Sequence, residues 1–149
     1  MQRLVTLSEV EGLITKNTMF ITLEDLNKSI YDEQLNAIVR NEPTIIDERI
    51  NLAITEVDTY LNQRYNTTEI WNKQGADRHE LIKNAVIDIA LYHIHSLLTE
   101  SPIIRRERYD NAIQLLKDIR KGDSNLTGVP LIEAEKNTDI LYGGINTRY

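Results

Sequence analysis

Residues 56–65, EVDTYLNQRY, place two carboxylic acids, an arginine and two tyrosines within ten positions. Acids and phenols at such density are able to act as general acids and bases. On an α-helix, however, Glu56 and Asp58 point roughly 200° apart, so they do not form a paired-carboxylate site. Glu56, Tyr60 and Arg64 instead follow one side at i, i+4 and i+8. The spacing favours a polar surface ladder over a catalytic pocket, and we expect it to contact solvent, the following loop or a neighbouring subunit.

His93 and His95 form an H-x-H pair, and histidine serves both in acid–base chemistry and in metal binding. Two residues apart on a helix, the rings point roughly 200° apart and do not share one metal ion. A helical metal site needs ligands at i and i+4, as in H-E-x-x-H, and the sequence lacks that pattern. We therefore expect two histidines at the edge of the core, and neither a metal nor another cofactor.

Asp88 lies in the middle of the most apolar segment of the chain. An unpaired buried carboxylate is costly, so we expect a partner, either Tyr92 at i+4 or an arginine such as Arg64. A catalytic acid is the alternative, but no second acid, base or nucleophile is positioned beside it. The sequence also lacks the Walker A, G-x-G-x-x-G, G-x-S-x-G and EF-hand patterns. We expect a buried structural ion pair at Asp88 and no enzymatic activity.

Helices must position these residues, because apolar side chains recur at helical spacing through most of the sequence. Thr22 is an N-cap candidate with Asp25 at N3, which is a capping-box arrangement. Short helices are expected over 7–14, after Thr22, and over 33–40.

The first long helix is predicted over 45–65 and is expected to begin at Thr44. Pro43 disfavours helical conformation in the residue before it and so separates this helix from the preceding one. The apolar stripe of the long helix has members three or four residues apart. The following segment, 66–77, is polar and holds the only tryptophan, so we expect a loop in which Trp71 is an aromatic anchor.

A second long helix over 78–98 is apolar nearly all round, which indicates a central helix buried against several neighbours. Its main stripe is Leu81, Ile82, Ala85, Val86, Ile89, Ala90, Ile94, Leu97 and Leu98. The last helix, over 103–121, is predicted to begin with Pro102 at N1 and to stop at Gly122 in a left-handed conformation.

Basic residues are frequent on this last helix, where Arg105, Arg106 and Arg108 precede a second group near its end. Such a helix is able to contact phosphate, so a small DNA-binding or regulatory protein using residues 105–121 is the alternative function. Acidic residues on the same helix lower its positive charge. A face that contacts solvent or another subunit therefore fits the sequence better than a phosphate-binding face. The subunit-interface candidates are Glu56, Tyr60, Arg64, Trp71, Arg105 and Arg106.

The C-terminal segment, 123–149, has no sustained helical period and contains glycines and a proline. We expect an extended arm that follows a helical domain over 1–122, of which 1–17 is an N-terminal extension. Exposed apolar runs favour docking on a neighbour or another protein. The contact residues expected in this arm are Val129, Pro130, Leu131, Ile132, Ile140, Leu141 and Tyr142.

The bulk composition is that of a soluble globular protein, with 41% hydrophobic and 27% charged residues. A net charge of −6 disfavours a protein that wraps nucleic acid, but an acidic wall lets a duplex slide past. There are no cysteines, which excludes thiolate chemistry and disulfides. No stretch approaches the roughly 18 apolar residues of a membrane span, and we expect a protein of cytoplasmic origin without a membrane partner.

The segments ITLEDL, EVDTYLNQRY, LIKNAVIDIALYHIH and RERYDNAIQLLKDIRKG occur in this order between residues 20 and 122. This pattern resembles the phage head–tail connector (adaptor) proteins and is similar to the small neck protein of Mu-like prophages. The matching motifs are helix-packing signatures. The segments 1–17 and 66–77 depart from the pattern.

The resemblance implies an all-α protomer of four or five helices that assembles into a ring, typically of twelve subunits, in the neck of the virion. Such a ring docks below the portal protein, extends the channel through which genomic DNA passes, and presents a platform to stopper and tail proteins. DNA passes through without sequence-specific binding. A C-terminal segment, here 123–149, commonly engages the portal in such proteins.

Overall fold

The computed structural model describes residues 20–29, 33–97 and 102–132. Its helices are α1 (Leu23–Ser29), α2 (Glu33–Asn41), α3 (Pro43–Leu61), α4 (Thr67–Trp71), α5 (Glu80–His95) and α6 (Ile103–Lys121), with a 3-10 turn at Gly75–Asp77. The described residues contain one isolated antiparallel bridge, between Tyr65 and Leu131, and no regular strand. The all-α prediction is confirmed. No helix in these ranges is long and apolar enough to cross a membrane.

Helix α1 begins with the capping box expected from the sequence. The backbone N–H of Thr22 donates to Asp25 Oδ2 at 2.8 Å, and the N–H of Asp25 donates to Thr22 Oγ1 at 3.3 Å. Two N–H groups that the helix leaves without partners are thereby satisfied. The helix predicted over 7–14 lies outside the described residues.

Helix α3 differs from its predicted bounds at both ends. It begins at Pro43, with Glu42 in the N-cap position, so Thr44 does not open it. Proline suits N1 because the N–H it lacks has no partner there in any helix. The helix ends at Leu61, and Asn62–Arg64 form a turn. Arg64 therefore does not continue the helical ladder of Glu56 and Tyr60.

Helix α5 is the centre of the core, and both α3 and α6 pack along it. Its buried residues are Ile82, Ala85, Val86, Ile87, Ile89, Ala90, Leu91, Ile94 and His95. The expected central helix is confirmed, but Leu81 and Leu97 of the predicted stripe are exposed. Leu97 follows the end of α5, and Leu81 faces the open groove between α5 and α6. Leu98 lies outside the described residues.

Helix α6 starts at Ile103, so Pro102 occupies the N-cap position and not the predicted N1. Its end is as expected: Gly122 has φ 93° and ψ 5°, and its N–H donates to the carbonyl of Asp118 at 3.0 Å. The left-handed conformation lets the last carbonyls of the helix accept hydrogen bonds from the chain that follows.

The chain after α6 returns to the end of α3. The backbone N–H of the buried Leu126 donates to the hydroxyl of Tyr65 at 3.0 Å. Asn66 N–H donates to Pro130 O, and Ile132 N–H donates to Arg64 O, each at 2.9 Å. Residues 123–132 are therefore non-helical, as predicted, and this part of the arm packs on its own protomer.

Candidate functional site

Glu56 faces the interior between three helices. Its Oε2 accepts a hydrogen bond from His93 Nε2 at 2.7 Å, and its Oε1 accepts one from the hydroxyl of Tyr109 at 2.6 Å. Glu56 therefore belongs to an internal cluster and not to the surface ladder expected from the sequence, while its contact with a neighbouring subunit stays a prediction. The reason is tertiary, because α6 packs on this side of α3 and supplies the phenol.

Aromatic stacking extends this cluster, which consists of Glu56, His93, Tyr92 and Tyr109. The rings of Tyr92 and Tyr109 are stacked with centroids 4.1 Å apart. Burial raises the pKa of Tyr109, and the hydrogen bond to the Glu56 carboxylate raises it further, so the phenol stays a proton donor. Both carboxylate oxygens of Glu56 are engaged, and the cluster cross-links α3, α5 and α6.

His95 points away from this cluster. It is fully buried, and its Nδ1 donates to the carbonyl of Leu91 at 2.8 Å. The two histidines diverge as the helical spacing predicts. Within the described part of the chain, no group of three or more His, Asp or Glu side chains is arranged to hold a metal ion.

Asp88 pairs with Arg108 and not with the partners proposed from the sequence, Tyr92 or Arg64. Arg108 Nη1 lies 3.7 Å from Asp88 Oδ1. Burial raises the pKa of Asp88, while the charges of Arg108 and Arg105 oppose that shift. The carboxylate is half-buried, in a groove between α5 and α6.

The basic residues at the start of α6 do not form one continuous surface. Arg105 is buried, which contradicts its placement on a solvated or subunit-contacting face. Arg108 is paired with Asp88, and Arg106, 74% exposed, lies 3.8 Å from Asp110. Arg106 is therefore the arginine of this group that is most available to another molecule.

Arg64 lies at the junction of α3, α6 and the arm. Its Nη1 donates to the carbonyl of Ile119 at 2.6 Å, and its Nη2 donates to Asn125 Oδ1 at 3.2 Å. Arg64 thus fixes the end of α6 within its own protomer. Tyr60 is partly buried and lies beneath the guanidinium of Arg120, 5.2 Å from its ring centroid.

Trp71 is an anchor, as expected, but it lies on the short helix α4 and not in a loop. Its Nε1 donates to Asp58 Oδ1 at 2.9 Å, and its ring meets Phe20 edge-on at a centroid distance of 4.9 Å. Beside it runs an open groove, here called the α3–α4 groove, lined by Asn51, Ile54, Thr55, Asp58, Thr67 and Trp71. Sequence reasoning missed this groove, because it depends on how α4 packs against α3.

Of the eight large hydrophobic side chains exposed in the described residues, five lie in two groups, and Leu23, Leu52 and Leu81 lie elsewhere. The hairpin surface comprises Leu97, Ile103 and Ile104, and Ile103 is 79% exposed. The arm surface comprises Leu131 and Ile132, and Leu131 is 58% exposed. The arm residues Ile140, Leu141 and Tyr142 lie outside the described residues.

These two surfaces are at opposite ends of the bundle. The hairpin surface lies where α5 ends and α6 begins. The arm surface adjoins Arg64, which binds the carbonyl of Ile119 near the end of α6. Helix α6 has 19 residues, so about 28 Å along its axis separates the two ends.

A family model described as Bacteriophage Mu, Gp36 matches residues 20–139. The chain belongs to this family. The match spans all six described helices and the arm surface, and it extends beyond the region in which the sequence resembles connector proteins. Membership in the Gp36 family makes the chain a phage structural or morphogenesis protein. No curated protein and no solved structure matches the chain.

Proposed function

We propose that this Gp36-family chain is a non-enzymatic virion protein of the neck, a head-to-tail adaptor. It forms a ring, and its resemblance to the connector proteins implies twelve subunits. The ring docks below the portal, extends the DNA channel and presents a platform to stopper and tail proteins. Assembly takes place in the host cytoplasm before the protein enters the virion.

The placement of exposed aliphatic residues at both ends of the protomer carries this proposal. An adaptor has one protein above it and another below it, so it needs a docking surface at each end. Ile103 and Leu131 are large aliphatic side chains, 79% and 58% exposed, at opposite ends of the bundle. Exposed apolar surfaces of this kind typically mark sites of protein contact.

The charge supports the same role. With a net charge of −6, the chain does not attract DNA as a whole, which suits the wall of a channel through which a duplex must move. The internal hydrogen bonds of Glu56 and Arg64 keep the protomer rigid, so docking need not order these parts of the bundle.

The test uses the full-length chain and the portal protein of the same phage, imaged by negative-stain electron microscopy. A ring coaxial with the portal is expected. Leu131→Asp should weaken portal binding at least about tenfold, because docking would bury a charge. Ile103→Asp should retain portal binding and lose the stopper or tail protein. Leu52→Asp, an equivalent change on the side of α3, is the control and should bind both.

A chain that stays monomeric beside the portal, with residues after Ile132 open to protease, would contradict the adaptor role. If Leu131→Asp and Ile103→Asp affect both partners equally, the assignment of one end to each partner is wrong, although the ring still stands.

A further inference from the structure

The α3–α4 groove combines an apolar floor with hydrogen-bond acceptors. Ile54 and Trp71 are partly buried hydrophobic residues that pack against the core. The Oδ1 of Asn51 is buried, and it accepts no hydrogen bond from the part of the chain that the structure describes. An acceptor without a donor beside an indole ring suits a side chain that is cationic, rich in N–H groups and carried on an aliphatic stem.

Asp58 adds negative charge to the groove. Its Oδ1 accepts from the indole of Trp71 at 2.9 Å, and its Oδ2 accepts from Asn62 Nδ2 at 3.1 Å. Both donors are neutral, so neither cancels the charge of the carboxylate. A carboxylate oxygen accepts more than one hydrogen bond, which leaves capacity for a guanidinium.

The complementary charge is on α6. This helix holds six basic and three acidic residues, a net charge of +3, while the whole chain carries −6, so the remainder carries −9. Arg106 is 74% exposed, and its acidic neighbour on the helix, Asp110, is 3.8 Å away and itself exposed. Pairs of this kind contribute little, so Arg106 is free to exchange Asp110 for a better-enclosed acceptor.

The groove and α6 lie on opposite sides of α3. Glu56 points toward α6, since it binds Tyr109, whereas Asp58 follows it by two residues and points roughly 200° away into the groove. A protomer's own α6 therefore does not reach its own groove. A second copy has the matching surface, and such a contact is head-to-tail.

We propose that Arg106 of one copy enters the α3–α4 groove of the next, with its guanidinium near Asn51, Asp58 and the indole of Trp71. Repeated around an axis, a head-to-tail contact between two different surfaces closes a ring when the rotation between neighbours is a whole fraction of a full turn. The inference rests on the proposed adaptor function, because it names the subunit contact of that ring.

The first test is a charge exchange, with ring assembly of the full-length chain beside its portal followed by native mass spectrometry. Arg106→Glu and Thr55→Arg should each lower the assembled fraction at least about tenfold, by charge repulsion at the groove. The double variant, which restores opposite charges, should recover assembly to within about threefold of the starting protein. Lys121→Glu and Thr44→Arg make the same charge changes away from the contact and should assemble normally, because Thr44 is exposed about three helical turns from Thr55 on α3.

The second test uses the absence of cysteine from the sequence. A chain carrying Thr55→Cys is mixed with a chain carrying Arg106→Cys and treated with a short bismaleimide. A cross-linked dimer of the two variants is expected, and neither variant alone should cross-link. A chain carrying both changes should give a ladder of multimers. Replacing Thr55→Cys by Thr44→Cys, at the other end of α3, should reduce the yield.

The outcomes separate this contact from the adaptor role. If rings form normally with Arg106→Glu, or if Lys121→Glu disrupts them equally, the proposed contact is wrong. The adaptor function is not contradicted by that result. Cross-linked ladders without a ring at the portal support the contact and overturn the adaptor. A chain that neither cross-links nor assembles overturns both.

Discussion

Arg78 and Asp25 form a two-pronged salt bridge that ties α1 to the segment before α5. Nη1 of Arg78 donates to Oδ2 of Asp25 at 2.6 Å, and Nη2 donates to Oδ1 at 3.1 Å. The side chains are only 10% and 13% exposed. Nη1 also donates to the carbonyl of Phe20 at 2.6 Å, so one guanidinium holds both the helix and the chain that leads into it.

The stability of the protein should fall in acid because of Asp25. Burial alone would raise the pKa of this carboxyl, but hydrogen bonds from Arg78 and Thr22 lower it to about 2, from the ordinary 3.8. A lowered folded-state pKa gives stability that is present above pH 3.8 and is lost as the pH falls toward 2. Asp25→Asn should lower the free energy of unfolding by about 2 kcal/mol at pH 7 and by little near pH 2.

Urea denaturation at the two pH values measures this difference. Glu24→Gln is the matched control, because the Glu24–Lys28 pair on the same helix is largely exposed and should contribute little. An Asp25→Asn effect that is equal at pH 7 and pH 2 would show that the ion pair is not its source.

The polar cluster at Glu56 should show energetic coupling. Tyr109→Phe removes the phenol that donates to Glu56 at 2.6 Å and should cost about 1–2 kcal/mol of unfolding free energy. Glu56→Gln should also destabilise, since it weakens the bonds to Tyr109 and His93. Because both changes remove one shared bond, the double variant should lose about 1 kcal/mol less than the sum of the single losses. Chemical denaturation of the four proteins measures the coupling, and strict additivity would exclude it.

Local rules in the sequence predicted those features whose causes are also local. The capping box of Thr22 and Asp25 spans three residues, and the stop at Gly122 needs only a residue that tolerates positive φ. The apolar pattern of α5 likewise identifies it as the central helix. Each of these depends on a few neighbouring positions and not on the rest of the fold.

Such local rules do not predict which residues on different helices contact each other. The sequence left Glu56 on the surface and gave Asp88 the wrong partner, because the phenol of Tyr109 and the guanidinium of Arg108 come from α6. Arg64 was placed on a helix that stops at Leu61, since the chain turns there to meet the arm. The α3–α4 groove was missed for the same reason, because it exists only once α4 packs on α3.

Replacing Gly122 by alanine should lower the stability of the protein more than replacing Gly75. A Cβ at Gly122 would lie 3.4 Å from Arg64 Nη1, at a φ of +93° that L-residues rarely adopt. At Gly75, φ is +57° and nothing lies within 4 Å of the added atom. Gly75→Ala should cost about 1 kcal/mol from the backbone alone, and Gly122→Ala about 1 kcal/mol more. Thermal unfolding measures both, and equal losses would show that φ +93° at Gly122 strains alanine no more than φ +57° at Gly75.

Tyr65 should hold the first part of the arm. Its hydroxyl accepts the backbone N–H of the buried Leu126 at 3.0 Å, and Tyr65→Phe leaves that donor without its partner. A buried N–H left unsatisfied costs about 1–3 kcal/mol, and residues 123–132 can relieve that cost by separating from the bundle. Hydrogen exchange measured by mass spectrometry should therefore accelerate in 123–132 and remain unchanged in α5. Tyr60→Phe, a like change on α3, is the control and should leave exchange in the arm unaltered. Acceleration spread evenly over all helices would mean that Tyr65 supports the whole core and not the arm in particular.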